Sequence, residues 1–211
     1  MIRGLIFDLD GTLVDSLPGI AIALNHALED IKLPNHPQDV VETFIGDGLL
    51  NLITRALGPD HFNQQDELLS AFQKHYSEDW KNGTSPYPGV TSLLKELHHN
   101  NIPMAVLSNK PHGYTVEIVE TLFPQNIFSQ VRGHRDGYPK KPDPTTAHQI
   151  ISDWNLKAKE VAYIGDSTVD LATARNGDMK PLIFSWGYGT PTDFPLLDSV
   201  DDLRNAILEA S

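Results

Sequence analysis

Short runs of apolar residues alternate with helical patterns along most of this chain of 211 residues. The runs are short enough for strands, and they lack the polar alternation of a strand with one face in solvent. The segments between them carry apolar residues at the i, i+3, i+4 spacing of an amphipathic helix. This alternation is typical of a parallel α/β sheet. The predicted strands lie at residues 4–7, 102–107, 128–133, 161–164 and 181–184.

Helix signals fall in the gaps between these runs. Apolar stripes predict helices near residues 90–97, 147–154 and 203–208, with Pro144 as a first helical residue. Ser167 and Asp170 have the S-x-x-D spacing of a capping box, and Gly177 follows at a position that ends a helix.

Residues 16–84 break the alternation, because they carry helical stripes and no clear strand. A crossover between parallel strands usually needs only about a dozen residues. Turn residues lie at both ends of this segment, at 16–19 and 82–86. We therefore predict an α/β fold with a Rossmann-like parallel sheet core, residues 1–15 and 85–211, and a small all-helical cap domain, residues 16–84, inserted after the first strand. The insert can act as a lid, because its ends lie close to strand ends.

The composition limits which partners the chain can have. Acidic residues outnumber basic ones by 28 to 16, which argues against nucleic acid and anionic membrane surfaces. The chain has no cysteine, so disulfides, thiolate nucleophiles and Cys-ligated zinc are excluded. The first apolar run is too short for a signal peptide, and no apolar stretch approaches the roughly 18 residues of a membrane span. We expect a cytoplasmic monomer or homodimer that binds a small molecule.

Polar residues follow the predicted strands at the ends where open α/β sheets bind ligands. Two carboxylates two residues apart at such an end repel each other and require a cation or a shared proton. A site of oxygen ligands, without His or Cys, is typical of magnesium, and magnesium beside a lysine is typical of a phosphate site. The nine histidines form no recognisable metal-ligand motif. The motifs are Asp8-Leu9-Asp10-Gly11-Thr12, Ser108-Asn109-Lys110, Lys140-Lys141-Pro142-Asp143-Pro144 and Gly165-Asp166-Ser167-Thr168-Val169-Asp170.

The order DLDGT, SN, KPDP and GDSTVD resembles the four motifs of the haloacid dehalogenase superfamily, in its phosphatase branch. The resemblance covers the whole chain, and the helical insert is similar to that family's mobile cap. It implies a Mg²⁺-dependent phosphomonoester hydrolase that acts through an aspartyl-phosphate intermediate.

The resemblance also implies a role for each acidic motif residue. Asp8 would be the nucleophile, and Asp10 would act as general acid and then as general base. Asp8, the backbone carbonyl of Asp10, and Asp166 would bind Mg²⁺. Asp170 would steady these ligands, a role compatible with its place in the capping box.

The remaining motif residues would contact the phosphoryl group. Ser108 and Asn109 would donate hydrogen bonds to it, and Ser108 and Lys141 would stabilise its charge during transfer. Lys141 is preferred over Lys140 because family members carry one lysine directly before the first proline of this motif.

Selection of the substrate would fall to the insert. Gly46, Asp47 and Gly48 precede a predicted helix, whose N-terminus attracts a carboxylate. Arg55 either binds a substrate carboxylate or lies in solvent. Residues 44–48, 52–57 and 87–90 resemble family members that hydrolyse 2-phosphoglycolate. The expected partner is thus a small phosphorylated metabolite, with 2-phosphoglycolate as the leading candidate.

Other functions remain open at this point. Sugar-phosphate phosphatases have similar caps, and β-phosphoglucomutase-like enzymes share the four motifs. A phospho-accepting signalling domain also places carboxylates, a hydroxyl and a lysine at strand ends. Such domains, however, lack a long insert and carry the accepting acid on a later strand.

Overall fold

A parallel sheet lies at the centre of the computed structural model, which describes residues 1–208 of the chain. In these residues six strands form the sheet and two short strands form a separate ribbon. The sheet order is fifth, fourth, first, sixth, seventh and eighth strand, with every neighbouring pair parallel. The strands are β1 (Gly4–Phe7), β2 (Val14–Asp15), β3 (Ser85–Pro86), β4 (Met104–Pro111), β5 (Gln130–His134), β6 (Val161–Gly165), β7 (Lys180–Phe184) and β8 (Leu196–Leu197).

The sheet confirms the predicted α/β fold class. Every residue of β1 and β6 is buried. Leu5 of β1 belongs to one buried apolar cluster and Ile6 to another, so the sheet has a core on each face. Strand β4 begins at Met104, later than predicted, because the preceding Pro103 has no N–H to donate. The two-residue strands β2, β3 and β8 were not predicted, since two residues carry too little pattern.

Helices connect these strands. Short 3-10 segments lie at Pro59–Gln64, Trp80–Asn82 and Ala158–Glu160. Among residues 1–208, no helix has the length and apolar character needed to cross a membrane. The α-helices are α1 (Leu17–Asp30), α2 (Gln38–Glu42), α3 (Leu49–Leu57), α4 (Gln65–Asp79), α5 (Val90–His99), α6 (His112–Leu122), α7 (Thr145–Asp153), α8 (Thr168–Asn176) and α9 (Val200–Leu208).

The predicted core helices correspond to α5, α7, α8 and α9. Pro144 caps α7 instead of forming its first helical residue, a shift of one position. Helix α6 was not predicted, because Thr115 occupies part of its buried stripe and weakens the apolar period.

The described insert consists of helices and connecting loops between β2 and β3. These two strands pair antiparallel, Val14 with Pro86 and Asp15 with Ser85, which brings the ends of the insert together. Helices α1 and α4 pack against each other through buried side chains such as Leu24 and Phe72. The division into a core and a cap domain stays a prediction, and residues 209–211 of that core lie outside the described residues.

The packing of α1 predicts unequal effects for two substitutions on that helix. Leu24 is fully buried, whereas Ile22 is 39% exposed. Leu24→Ala should lower the free energy of unfolding by about 2–5 kcal/mol, since it leaves a cavity in the insert. Ile22→Ala, the matched control, should cost well under half as much. Urea denaturation of both variants measures the difference, and equal losses would contradict this packing.

Candidate active site

The four motifs meet at one edge of the sheet. Asp8 follows β1 and Asp166 follows β6, while Ser108 and Asn109 lie within the last residues of β4. Because β4, β1 and β6 are neighbours, their carboxyl ends bring these residues together. They line a cleft whose other wall comes from the insert. Sequence reasoning thus predicted the polar wall of the cleft.

Lys141 reaches this edge from the loop before α7. Its buried Nζ lies 2.8 Å from Asp8 Oδ1 and 2.7 Å from Asp170 Oδ1. Burial by itself lowers the pKa of Lys141, but the carboxylates of Asp170 and Asp8 raise it well above its usual value. The ammonium group is therefore charged and has two carboxyl groups as neighbours, whereas Lys140 is less buried.

Asn109 holds the loop that carries this lysine. Its Oδ1 accepts a hydrogen bond from Lys141 N at 2.9 Å, and its Nδ2 donates to Lys141 O at 3.2 Å. The same Nδ2 donates to the carbonyl of Gly46 in the insert, at 3.2 Å. Both amide hydrogens of Asn109 thus have acceptors within the protein, unlike the free phosphate donor that the sequence predicted.

Asp170 forms the predicted capping box and also holds Lys141. Its backbone N–H donates to Ser167 Oγ, and its Oδ2 accepts hydrogen bonds from the Ser167 backbone and hydroxyl. Its other oxygen accepts from Lys141 Nζ. The capping box of α8 therefore orients the carboxylate that holds the lysine.

Three buried carboxylates form a cluster beside Lys141. Donor oxygens of Asp8, Asp166 and Asp170 all lie within 4.8 Å of one another. Burial raises the pKa of Asp8 to about 7, with Lys141 opposing the shift and Asp170 adding to it. Burial also raises the pKa of Asp166 well above its usual value, and the charges of Asp170 and Asp8 add to that effect. The protein alone therefore disfavours full ionisation of this cluster.

A divalent cation suits the donor set of this cluster. Asp8 Oδ1 is buried and lies 2.8 Å from Lys141 Nζ. Asp166 is fixed by Thr12 Oγ1 at 2.7 Å and by the backbone N of Tyr188 at 2.8 Å. Preoriented oxygens with spare lone pairs match a hard cation. Asp10 places its side chain elsewhere, which agrees with a contribution through its backbone carbonyl alone.

Lys110 is the site residue that sequence reasoning missed. Its buried Nζ lies 3.1 Å from both carboxylate oxygens of Asp10 and 4.8 Å above the ring of Tyr76 in the insert. Burial by itself lowers the pKa of Lys110, but Asp10 and then Tyr76 raise it above its ordinary value. Ser16 Oγ also donates to Asp10, at 2.6 Å. The sequence carried one signal that could have identified Lys110 as a site residue, which is its position directly after Ser108 and Asn109.

The glycine loop of the insert meets the cleft as predicted, but its charged residues do not. Gly46 and Gly48 line the cleft. Asp47 forms an ion pair with Arg55, and Arg55 also donates to the carbonyl of Phe44 at 3.1 Å. Both side chains are more than one-third exposed, and neither lines the cleft. Arg55 thus has a partner of its own instead of facing the substrate or lying free in solvent.

The chain matches a known protein family over most of its length. A sequence model described as a haloacid dehalogenase-like hydrolase matches residues 5–183, which include the polar residues at this edge. The chain belongs to this family. As the motifs predicted, it is an enzyme of the phosphatase branch.

Relatives within the haloacid dehalogenase-like hydrolases cover nearly all of the chain. A phosphoglycolate phosphatase of Yersinia pestis is 34% identical over 89% of this chain and 82% of its own length. One of Vibrio parahaemolyticus is 33% identical over 99% of this chain and 95% of its own. A solved structure, described as a predicted phosphoglycolate phosphatase from Haemophilus somnus, has a TM-score of 0.87 and 27% identity, covering 100% and 98% of the two chains.

The close approach of Gly11 to Asp166 gives a testable consequence for this family member. Gly11 has a φ of 81°, and a Cβ there would lie 2.5 Å from Asp166 Oδ2. Gly137 has a φ of 82° with nothing near its Cβ position, so it serves as a matched control. Gly137→Ala should cost only the backbone strain, about 1–2 kcal/mol.

Gly11→Ala should cost more than Gly137→Ala, because it must also displace the Asp166 carboxylate. Thermal and urea unfolding of the two variants measure both costs. Equal destabilisation would show that Gly11 does not constrain the position of Asp166.

Proposed function

We propose that this chain is a Mg²⁺-dependent phosphomonoester hydrolase that acts through an aspartyl-phosphate on a small phosphorylated acid, with 2-phosphoglycolate as the leading candidate. The observation that carries the proposal is the buried Asp8 carboxylate, with the Lys141 ammonium 2.8 Å away, at the floor of a cleft. A nucleophile beside a fixed positive charge suits attack on a phosphoryl group, whose transfer depends mainly on positioning and charge.

In the first half-reaction, a carboxylate oxygen of Asp8 forms a bond to phosphorus while the ester P–O bond breaks. Asp10 donates a proton to the leaving oxygen. In the second, water attacks the phosphorus of the aspartyl-phosphate, and Asp10 accepts a proton from that water. Inorganic phosphate leaves, and both carboxyl groups return to their starting states.

Ser108 and Lys141 contribute to binding the transferred group. Ser108 Oγ accepts a hydrogen bond from Lys110 N at 3.2 Å, which leaves its hydroxyl hydrogen free to donate to a phosphoryl oxygen. Lys141 stabilises the negative charge of the phosphoryl oxygens. Asp170 holds the side chain of this lysine and Asn109 holds its backbone, so little reorganisation is needed during transfer.

Asp8, Asp166 and the backbone carbonyl of Asp10 would hold Mg²⁺. When bound, the ion offsets the repulsion among the carboxylates and the incoming phosphate. Asp166 is already oriented for this by Thr12 and Tyr188.

The position of Lys110 in the cleft supports the proposal that the substrate carries an acidic group. Among the described residues that line the cleft, it is the only lysine or arginine. The insert contributes a largely apolar wall, from residues including Ile20, Leu49 and Phe72, which gives few partners to the hydroxyl groups of a sugar. A phosphate near Asp8 and a carboxylate near Lys110 would fit the charges of this cleft. The naming of the curated relatives as phosphoglycolate phosphatases agrees with such a substrate.

The nucleophile assignment predicts the effect of Asp8→Asn. The variant should keep the wild-type fold but lose turnover by at least about a thousandfold, because an amide cannot form the aspartyl-phosphate. Release of inorganic phosphate from phosphoglycolate measures turnover, and circular dichroism monitors the fold. Asp153→Asn, on the exposed end of α7, is the control. Retention of more than a small fraction of the rate would exclude Asp8 as the nucleophile.

The metal assignment predicts that excess chelator removes phosphate release and that added Mg²⁺ restores it. Asp166→Asn should raise the Mg²⁺ concentration needed for half-maximal rate much more than it raises KM, because Asp166 contacts the cation and not the substrate. Undiminished hydrolysis in chelator would contradict a metal-dependent mechanism.

The substrate assignment predicts different effects for one lysine substitution and one arginine substitution. Lys110→Gln should lower kcat/KM for 2-phosphoglycolate at least about tenfold more than for a neutral sugar phosphate, equivalent to about 1.4 kcal/mol. Arg55→Gln, the matched control, should leave that ratio of kcat/KM values nearly unchanged. If Arg55→Gln abolished the preference and Lys110→Gln kept it, the carboxylate contact would belong to Arg55. Preference of the wild type for the sugar phosphate would refute the acidic substrate altogether.

A further inference from the structure

Two histidines and two aspartates face one another across the α1–α4 pair of the insert. His26 and Asp30 are four residues apart on α1, and His75 and Asp79 are four residues apart on α4. This spacing puts each pair on one helix face. The pairs contact crosswise, with His75 Nε2 2.8 Å from Asp30 Oδ2 and His26 Nδ1 3.7 Å from Asp79 Oδ2. The cluster is separate from the acidic residues at the sheet edge.

From this arrangement we infer a second metal site, formed by His26, His75 and Asp79, that takes a divalent transition ion of the zinc class. One donor atom from each of the three residues lies within 4.8 Å of the others. Two ligands of a tetrahedral zinc ion lie roughly 3.4 Å apart, given metal–ligand distances of about 2.0–2.2 Å. None of the three side chains is fully buried, so each has room to adjust toward that spacing. Imidazole nitrogens favour Zn²⁺ over Mg²⁺ at such a site.

The surrounding hydrogen bonds suit metal ligands. Asp79 Oδ1 accepts from Asn82 Nδ2 at 3.1 Å, which orients the carboxylate and leaves Oδ2 for a cation. Asp30 contacts His75, and a carboxylate on the second ring nitrogen of a metal-binding histidine fixes its tautomer and orientation.

The two imidazole rings lie close together, with ring centroids 5.4 Å apart. A divalent cation would bind both neutral imidazoles and compensate the carboxylates.

Occupation of the site would join the two longest helices of the described insert. Ile20 of α1 and Phe72 and Tyr76 of α4 line the active-site cleft, so the ion would stiffen one wall of that cleft. The sequence shows no metal motif here, because the ligands come from two helices about 50 positions apart in the chain. This inference does not depend on the proposed phosphatase substrate or mechanism.

Zn²⁺ titration of the metal-free full-length protein, in saturating Mg²⁺, tests the site. Calorimetry should show one equivalent bound, and the melting temperature should rise with Zn²⁺ concentration. Co²⁺ as a spectroscopic probe should give the visible bands of a low-symmetry, four-coordinate ion. His75→Gln and the double variant His26→Gln/His75→Gln should bind Zn²⁺ at least about tenfold more weakly.

Two controls separate this site from other sources of Zn²⁺ binding. His61→Gln removes an exposed histidine of the insert outside the cluster, and Asp166→Asn alters the active site. Both should keep the wild-type Zn²⁺ affinity and thermal shift. Absence of a bound equivalent in the wild type, or equal binding by the wild type and the double variant, would overturn the inference. Loss of the equivalent in Asp166→Asn would assign the ion to the active site and would also overturn it.

Discussion

The ion pairs that Lys141 makes with Asp8 and Asp170 fix the geometry of the active site. All three side chains are at least about nine-tenths buried, so the lysine charge needs both carboxylates and the carboxylates need the lysine. Removing one partner would leave an uncompensated charge in the interior, which costs several kcal/mol. The strand order of the sheet makes this arrangement possible, because the neighbouring strands β4, β1 and β6 bring the motifs to one edge. The capping box of α8 orients Asp170, and the amide of Asn109 holds the backbone of Lys141.

Two further contacts connect this network with the insert. Tyr188 donates its backbone N–H to Asp166, while its hydroxyl donates to Asp15 and accepts from the backbone of Ser16 and Leu17, where the insert begins. On the other side of the cleft, Lys110 joins Asp10 to the ring of Tyr76. The proposed acid–base residue and the proposed metal ligand thus each share a partner with the helical insert. A movement of the insert would therefore affect the positions of both Asp10 and Asp166. This gives a physical link between closure of the insert over a substrate and the catalytic step.

Much of this arrangement could be predicted from the sequence because its signals are local. Buried strands are continuous apolar runs, and the motifs follow them directly, so most of the polar residues at this edge of the sheet were singled out from the sequence. The fold class followed from the same alternation.

The errors arose where a residue's partner lies far away in sequence. Lys110 pairs with Asp10 across 100 positions, and Asn109 is occupied by the loop at Lys141, 32 positions away. No periodicity encodes such contacts. The proximity of His26, His75 and Asp79 was not predicted for the same reason, since these residues lie on two helices that only tertiary packing brings together.

Covalent phosphorylation of Asp8 during turnover can be measured directly. Enzyme saturated with 2-phosphoglycolate and Mg²⁺ is quenched rapidly in acid, reduced with borohydride and digested for peptide mass spectrometry. We predict that Asp8 alone is converted to homoserine, the reduction product of an aspartyl-phosphate, and that enzyme without substrate is unchanged. An unmodified Asp8 in samples that release phosphate, or the same modification at another aspartate, would contradict it.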